Sequence, residues 1–279
     1  MTYGFAGLGQ MGAPMARHLI GLGLTVYDTR PEAMAPLVEA GARAAADVGE
    51  LAAASRFVSV MVRDDDQVHE VVSGLLPAAE PGTVIAVHST IRPGTAVELA
   101  GLAAPYGIEV VDAPVSGGFM GAEAGTLAVM VGGGDGAFAR CEQPFGAWAD
   151  LVLHVGPVGA GTRAKLARNL LHFVAFAAAA EAQRLAEASG VSLRRLGRVV
   201  RHSDAVTGGP GAIMLRATTA PLDEDDPLYG IMRHVLALGE KDLDLALELA
   251  RDLGVDTPLA ELARDRLADG LGLLRKEIP

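Results

Sequence analysis

The sequence predicts an α/β protein with a parallel-sheet domain at residues 1–160 and an all-α domain at residues 161–279, joined by a long helix. Three observations support this division. Strand and helix patterns alternate through the first half, a glycine motif links the first strand to the first helix, and only helical periodicity remains beyond about Gly161. A chain of 279 residues is long enough for two such domains.

Composition and charge narrow the classes of function. The formal net charge is −11 and no basic stripe stands out, which argues against a nucleic-acid or anionic-membrane surface. The longest uncharged apolar run, residues 170–180, is too short to span a bilayer. Cys141 is the only cysteine, so an intrachain disulfide is impossible and a cytoplasmic protein is expected.

A short strand at residues 2–6 leads into the glycine motif. The motif has the form G-x-G-x-x-G and consists of Gly7, Leu8, Gly9, Gln10, Met11 and Gly12. A helix pattern follows it, and then a second strand at residues 24–27, as in a Rossmann-type βαβ unit. Such a unit holds a pyrophosphate against the glycine backbone and the helix N-terminus. The motif therefore predicts a dinucleotide cofactor.

The residues after the second strand bear on which cofactor is used. Asp28 stands where a carboxylate accepts hydrogen bonds from the adenosine ribose and repels a 2′-phosphate, which favours NAD. Arg30 could pair with that phosphate, so NADP stays open as the alternative. Thr29 lies between them and is a further candidate cofactor contact.

The strand–helix alternation continues beyond Asp28. The patterns predict helices at 31–40, 48–54 and 68–75, and strands at 41–44, 56–62, 83–88, 109–112 and 126–131. Ligands in such sheets bind beyond the carboxyl ends of the strands. The candidate cofactor residues at these ends are Val62, Arg63, Ser89 and Thr90.

Another strand end carries Ser116, Gly117 and Gly118. Two glycines free the backbone N–H groups and the serine adds a hydroxyl, so the segment can form an anion-binding nest. An ordinary turn is the equally weighted alternative.

The domain junction holds an unusual stripe of polar side chains. If the alanine-rich segment after Gly161 is helical, Lys165 and Asn169 share one face four residues apart, and His172 continues that stripe. A solvated surface lysine is the alternative for Lys165. No His, Cys, Asp or Glu spacing suggests a metal site.

The second half is predicted to be helical throughout. The predicted helices cover residues 162–188, 192–202, 208–218, 227–251 and 256–270. The first of them is rich in small residues that permit close helix contacts. We therefore expect it at the centre of the domain and in the interface of a homodimer or homotetramer.

Four blocks of the sequence resemble the β-hydroxyacid dehydrogenase family, which contains 3-hydroxyisobutyrate, tartronate semialdehyde and succinic-semialdehyde/glyoxylate reductases. The blocks are residues 7–16, residues 112–118 with Gly125-Thr126-Leu127, residues 156–161 with Lys165 and Asn169, and Lys241-Asp242-Leu243. They span nearly the whole chain. The first is shared with many nucleotide-binding folds, whereas the second and third are specific to this family.

The resemblance implies an NAD(P)-dependent oxidoreductase that transfers hydride between a nicotinamide and a small 3-hydroxy acid or semialdehyde. Lys165 would be the general acid–base, and Asn169 would fix the substrate and the lysine. Ser116, Gly117 and Gly118 would hold the substrate carboxylate, and Asp242 would lie close to the substrate. The implied cofactor contacts are Val62, Arg63, Ser89, Thr90 and Lys241.

The chain departs from the family at His234, where relatives usually carry an apolar or aromatic residue near the substrate. His234 is a candidate substrate contact, with an ordinary surface or core histidine as the alternative. Two other functions stay open. One is an imine reductase on the same fold, although such relatives replace the lysine with Asp or Tyr. The other is a non-catalytic cofactor-binding interaction module.

Overall fold

The computed structural model describes residues 2–273, so the two ends of the chain, Met1 and residues 274–279, lie outside the described residues. The chain divides into two compact units, Met1–Asn169 and Leu170–Pro279. The first unit is built on a sheet and the second from helices. The predicted fold class is confirmed.

The described part of the first unit contains nine strands. They are β1 Tyr3–Ala6, β2 Leu24–Tyr27, β3 Arg43–Ala44, β4 Phe57–Val60, β5 Val84–Val87, β6 Glu109–Asp112, β7 Val115–Ser116, β8 Leu127–Gly132 and β9 Ala149–Gly156. They join in the order β3-β2-β1-β4-β5-β6-β8-β7, with β9 paired to β8. The chain order reverses between β1 and β4, which is the switch point where doubly wound sheets bind ligands.

The sheet is parallel from β3 through β6, as the alternating pattern predicts. Its far end is mixed, because β8 runs antiparallel to both β6 and β7. Only residues 117–126 separate β7 from β8, and a parallel crossover needs a dozen residues or more. The predicted parallel sheet therefore has antiparallel pairs at this end.

Seven helices accompany the strands of the first unit among the described residues. They are α1 Gly12–Arg17, α2 Pro31–Glu39, α3 Val48–Ala53, α4 Asp65–Leu75, α5 Pro93–Ala103, α6 Gly118–Ala124 and α7 Asp135–Phe145, with a 3₁₀ turn at Ala104–Tyr106. Strands β1, β4 and β5 are buried at every position, and separate apolar clusters cover the two faces of the sheet. This explains their uninterrupted apolar sequences.

Helix α8, Ala160–Ala188, carries the chain from the first unit into the second. The second unit continues with α9 Leu193–Thr207, α10 Tyr229–Leu253 and α11 Pro258–Gly270. The predicted helix at 208–218 was wrong, since only a 3₁₀ turn at Gly209–Ile213 forms there. Gly208 and Gly209 have φ values of +87° and +55°, and Pro210 lacks an N–H, so no α-helix can pass through them.

A buried carboxylate holds two helices of the second unit together. Glu181 on α8 accepts hydrogen bonds from the backbone N–H groups of Leu259 at 2.9 Å and Ala260 at 3.1 Å. These groups lie in the first turn of α11, where helical N–H groups lack intrahelical partners. Glu181 therefore caps α11 from a distance.

Candidate active site

The glycine loop between β1 and α1 shows why each of its glycines is needed. Gly7 has a φ of +89°, and a Cβ there would lie 2.3 Å from the carbonyl oxygen of Met61. A Cβ on Gly12 would lie 1.9 Å from the carbonyl oxygen of Gly7. A Cβ on Gly9, by contrast, would have no heavy atom within 4 Å. The first and third glycines serve the fold, and the second leaves space for a ligand's phosphates.

A cavity of about 660 Å³ opens beside this loop, beyond the carboxyl ends of β1, β2 and β4. Its lining includes these residues predicted from the sequence: Gly7, Gly9, Gln10, Met11, Gly12, Asp28, Thr29, Arg30, Val62 and Arg63. Leu8 is buried behind the loop and is not part of the lining. The open backbone at the second glycine and the carboxylate at the end of β2 fit a dinucleotide.

Asp28 is the charged group at the end of β2, and its side chain is well partnered. Its Oδ2 accepts the backbone N–H of Leu8 at 2.8 Å, and its Oδ1 accepts the N–H and Nε–H of Arg30 at 2.9 and 3.2 Å. Burial disfavours the charge, but these hydrogen bonds and the Arg30 guanidinium hold the pKa of Asp28 below its ordinary value. The carboxylate is therefore ionised at neutral pH.

The end of β5 is tied to the end of β4 through Ser89. The Ser89 hydroxyl donates to the carbonyl oxygen of Val62 at 2.7 Å and accepts from its N–H at 3.0 Å. Val62 lines the cavity, whereas Thr90 follows on the surface and is exposed. Ser89 thus fixes a cavity wall from a buried position.

A buried histidine lies directly before Ser89. His88 Nδ1 is 2.8 Å from the carbonyl oxygen of Ala113, and His88 Nε2 is 3.0 Å from the hydroxyl of Ser59. Burial lowers the pKa of His88 to about 4, although the hydrogen bond to Ala113 opposes the shift. The imidazole is therefore neutral and links the ends of β5 and β6 to Ser59 within β4, a role that was not predicted from the sequence.

The segment Ser116–Gly118 turns from β7 into α6 through two left-handed glycines. Gly117 and Gly118 have φ values of +133° and +63° and are exposed, while Ser116 is half-buried. A Cβ on Gly117 would lie 2.8 Å from the Leu127 side chain, whereas Gly118 has open space around it. The turn presents its backbone to solvent at the edge of the sheet.

Lys165 lies on α8 and is only 9% exposed. Burial, with a smaller contribution from the positive charge of Arg168, lowers the pKa of Lys165 to about 8. Asn169 follows one turn later on the helix, half-buried, and its Oδ1 accepts a hydrogen bond from Arg168 at 3.3 Å. The surface-lysine alternative does not describe this side chain.

The start of α8 is fastened to the end of β6 by Asp112. Its Oδ1 accepts the N–H of Gly159 and its Oδ2 accepts the N–H of Thr162, both at 2.6 Å. The residue is 1% exposed. Burial raises the pKa of Asp112, and the hydrogen bonds from Thr162 and Gly159 oppose that shift. Sequence reasoning assigned it no role, although it heads the Asp-Ala-Pro-Val-Ser-Gly-Gly block.

Three further candidates lie on α10 in the second unit. His234, Lys241 and Asp242 are all exposed. Lys241 Nζ forms an ion pair with Asp242 Oδ1 at 2.7 Å. Within their own unit, the two charged residues therefore partner each other on the surface.

Sequence reasoning missed part of the cavity lining. The unpredicted residues are Ala6, Tyr27, Val48, Met61, Gln67, Glu70 and Val71. Tyr27 and Met61 flank predicted strand ends, so a broader window around each end would have found them. In residues 2–273, no group of three His, Cys, Asp or Glu side chains is arranged to hold a metal ion. No helix in the same range combines the length and apolarity needed to cross a membrane.

Two family models cover nearly the whole chain. Residues 2–156 match the NAD binding domain of 6-phosphogluconate dehydrogenase, and residues 159–273 match the model described as NAD-binding of NADP-dependent 3-hydroxyisobutyrate dehydrogenase. An NAD-dependent L-serine dehydrogenase of Pseudomonas aeruginosa is 38% identical over 93% of this chain and 88% of its own. The chain belongs to the β-hydroxyacid dehydrogenase family.

Other relatives of this β-hydroxyacid dehydrogenase have the same extent. An uncharacterised oxidoreductase of Mycobacterium tuberculosis is 58% identical, over 97% of this chain and 93% of its own. A crystal structure of a Mycobacterium avium oxidoreductase is 53% identical with a TM-score of 0.94, covering 98% of this chain and 99% of its own. The M. tuberculosis 3-hydroxyisobutyrate dehydrogenase solved with L-serine is 34% identical with a TM-score of 0.68, covering 98% of this chain and 95% of its own. The protein is thus an NAD(P)-dependent dehydrogenase that uses a nicotinamide cofactor.

Proposed function

We propose that this β-hydroxyacid dehydrogenase interconverts a small 3-hydroxy acid and its semialdehyde, uses NAD, and moves the reaction's proton through Lys165. The observation that carries the proposal is the burial of Lys165, which is 9% exposed on a helix fastened to a strand end of the sheet. Burying an ammonium group costs free energy, and ionisable groups that are buried at such a cost cluster at functional sites.

The pKa of Lys165 suits both directions of the reaction. With a pKa of about 8, both protonation states are well populated near neutral pH. In oxidation, the neutral amine of Lys165 accepts the hydroxyl proton as the C–O bond becomes a carbonyl. In reduction, the ammonium returns a proton to the carbonyl oxygen. The nicotinamide, when bound, accepts or supplies the hydride at the same carbon.

The cofactor preference is proposed from Asp28. Its ionised carboxylate lines the cavity and opposes a 2′-phosphate by charge repulsion. The Arg30 guanidinium, which could have favoured NADP, is already paired with that carboxylate at 3.2 Å. Both facts support NAD over NADP. Gly9 would receive the pyrophosphate, and Thr90 would lie near the nicotinamide.

The substrate class is proposed from the carboxylate loop and from two relatives. Ser116, Gly117 and Gly118 would bind the carboxylate, and Asn169 would orient the hydroxyl. The relatives are named for L-serine and 3-hydroxyisobutyrate, and both molecules contain the unit HOCH₂–CHR–COO⁻. We assign this unit to the substrate, with the group R undetermined. His234 and Asp242 are proposed to contact R, and Lys241 the cofactor.

The domain assignment is part of the proposal. We assign residues 1–160 to the dinucleotide-binding domain, which also carries the carboxylate loop, and residues 161–279 to the helical substrate and dimerisation domain. The gap between the two matched family models, after residue 156, supports a boundary there. Several apolar side chains of the second unit are more than half exposed: Leu170, Phe173, Val174 and Phe176. They support self-association as a homodimer or homotetramer, and the single buried cysteine supports a cytoplasmic location.

A substrate panel tests the reaction. Purified protein is mixed with NAD and, in turn, 3-hydroxyisobutyrate, L-serine and 3-hydroxypropionate, and NADH absorbance is followed. The matched controls are lactate, which moves the hydroxyl to C2, and the methyl ester of 3-hydroxyisobutyrate, which removes the carboxylate. We expect turnover only with intact 3-hydroxy acids. No turnover of any of these 3-hydroxy acids, or NADH-dependent reduction of a ketone–amine mixture instead, contradicts the proposal.

A further inference from the structure

We propose that Asp112 is a positioning residue for proton transfer: its carboxylate fixes the first turn of α8, and with it Lys165, relative to the strand that leads into Ser116–Gly118. The inference rests on the proposed role of Lys165. It adds a residue that touches neither the substrate nor the cofactor in the proposed reaction but determines where the lysine lies.

The contacts of Asp112 reach far along the chain. Its two oxygens accept the N–H groups of Gly159 and Thr162, 47 and 50 residues later, both at 2.6 Å. Those N–H groups belong to the beginning of α8, where the helix provides no internal acceptor. A negative group also interacts favourably with the helix dipole at this end. The single carboxylate therefore determines where α8 starts.

Gly132 and Gly161 show how closely the backbones pack at this junction. A Cβ on Gly132 would lie 2.3 Å from Asp112 Oδ1 and 2.8 Å from the N of Gly161. A Cβ on Gly161 would lie 2.3 Å from the carbonyl oxygen of Met130 and 2.4 Å from that of Asp112. The first turn of α8 thus contacts the backbones of β6 and β8 directly. A small change at Asp112 must displace the helix, since no side chain is there to absorb it.

The position of Asp112 in the sequence links it to both proposed substrate contacts. Ser116 follows Asp112 by four residues, through the buried segment Ala113–Val115. Lys165 follows Thr162 by three residues, within one helical turn. One side chain therefore sets the distance between the proposed carboxylate-binding loop and the proton-transfer group. Displacement by about 1 Å at such a distance can reduce a rate by about 100-fold.

The test compares Asp112→Asn with the wild type in two kinds of measurement. The asparagine keeps one acceptor oxygen but directs an NH₂ group at the second backbone N–H. We expect faster hydrogen exchange of the amides of residues 159–165 and a 10- to 100-fold fall in kcat/KM for the 3-hydroxy acid. The Kd for NADH should change less than twofold. Because Lys165 gains solvent, the inflection of its pH–rate profile should move upward from about 8.

Glu181→Gln is the matched control, since Glu181 is also a buried carboxylate that accepts two N–H groups at a helix start. It should speed exchange at the start of α11 and lower the melting temperature, while the pH–rate profile stays at the wild-type position. If Asp112→Asn does not fold, Asp112→Glu replaces it, since it keeps both oxygens and lengthens the side chain by one methylene. It should give the same faster exchange at residues 159–165 and the same fall in kcat/KM.

Two outcomes overturn the inference. One is wild-type exchange at residues 159–165 in the variant that folds. The other is a fall in rate that only follows the folded fraction, with KM and the pH–rate profile unchanged. Failure of the proposed role of Lys165 gives a different result, because Lys165→Ala would then retain turnover. The exchange measurement on Asp112→Asn would still show whether Asp112 fixes the start of α8.

Discussion

The carboxylate of Asp28 accepts a hydrogen bond from the backbone N–H of Leu8 at 2.8 Å, which ties the end of the second strand to the glycine loop. The same carboxylate accepts two hydrogen bonds from Arg30. Three of its roughly four lone-pair sites are therefore occupied by the protein. The remaining acceptor site and the negative charge are left to act on a cofactor ribose.

The first prediction follows from that charge. Asp28→Asn should weaken NADH binding by about tenfold and strengthen NADPH binding, because the repulsion of the 2′-phosphate is lost. Isothermal titration with both cofactors measures the change. Asp135→Asn is the control, since the Asp135 side chain is fully exposed in the same unit. Tighter binding of NADPH than NADH by the wild type would contradict the assignment.

The second prediction distinguishes the glycine that the fold requires from the glycine that cofactor binding requires. Gly9→Ala should leave the melting temperature close to the wild-type value, because the structure has open space there, and should abolish cofactor binding. Gly7→Ala should unfold more readily, since its Cβ meets the Met61 carbonyl at 2.3 Å with φ at +89°. Thermal melts with and without NADH distinguish the two. If Gly9→Ala binds NADH normally, the cofactor does not approach this backbone.

The third prediction concerns the electrostatic partner of Lys165. The positive charge of Arg168 helps to lower the pKa of Lys165 to about 8, so Arg168→Ala should raise it. The falling limb of the reductive rate and the rising limb of the oxidative rate should both move to higher pH. Arg163→Ala, two residues before Lys165 on the same helix, should leave the profile in place. A downward shift with Arg168→Ala would rule out Lys165 as the titrating group.

The fourth prediction concerns stability in acid. Folding lowers the pKa of His88 from 6.5 to about 4, so the unfolded chain binds a proton that the folded chain does not. The free energy of unfolding therefore keeps its full value above pH 6.5 and decreases as the pH falls toward 4. At pH 4 the decrease amounts to about 3 kcal/mol. Trp148, the only tryptophan, packs edge-on against His88 and reports urea unfolding by fluorescence.

The control for that prediction is His202, which is exposed on α9. His88→Gln should flatten the dependence of the unfolding free energy on pH between 4 and 6.5, and His202→Gln should not. An unchanged slope in His88→Gln would show that other groups cause the acid sensitivity.

How much the sequence predicts depends on the range of the interactions involved. The βαβ unit was recognisable because Gly7, Gly12 and Asp28 act within one local motif. Strand β9 and helices α5 to α7 were not predicted, and the helix expected at 208–218 failed because consecutive glycines and Pro210 break it. Strand β9 pairs with β8 and most of its residues are exposed, so its stability comes from strand pairing that the periodicity of its sequence does not reveal.

The candidate site shows the same limit. Lys165 and Asn169 were predicted from helical spacing, which is a local property. Asp112 was not, although it heads a recognisable block, because the N–H groups that it accepts lie 47 and 50 residues away. His88 and Glu181 were missed for the same reason: each is a buried polar group whose partners come from other parts of the chain.

Replacement of Lys165 by alanine decides whether this side chain moves the proton. Turnover of a 3-hydroxy acid and the Kd for NADH are measured for the wild type and Lys165→Ala. Loss of a positioned acid–base costs about 10² to 10⁴-fold in rate, so we expect kcat to fall by that factor while the Kd for NADH stays within twofold of the wild type. Turnover within tenfold of the wild type, or loss of NADH binding, would contradict it.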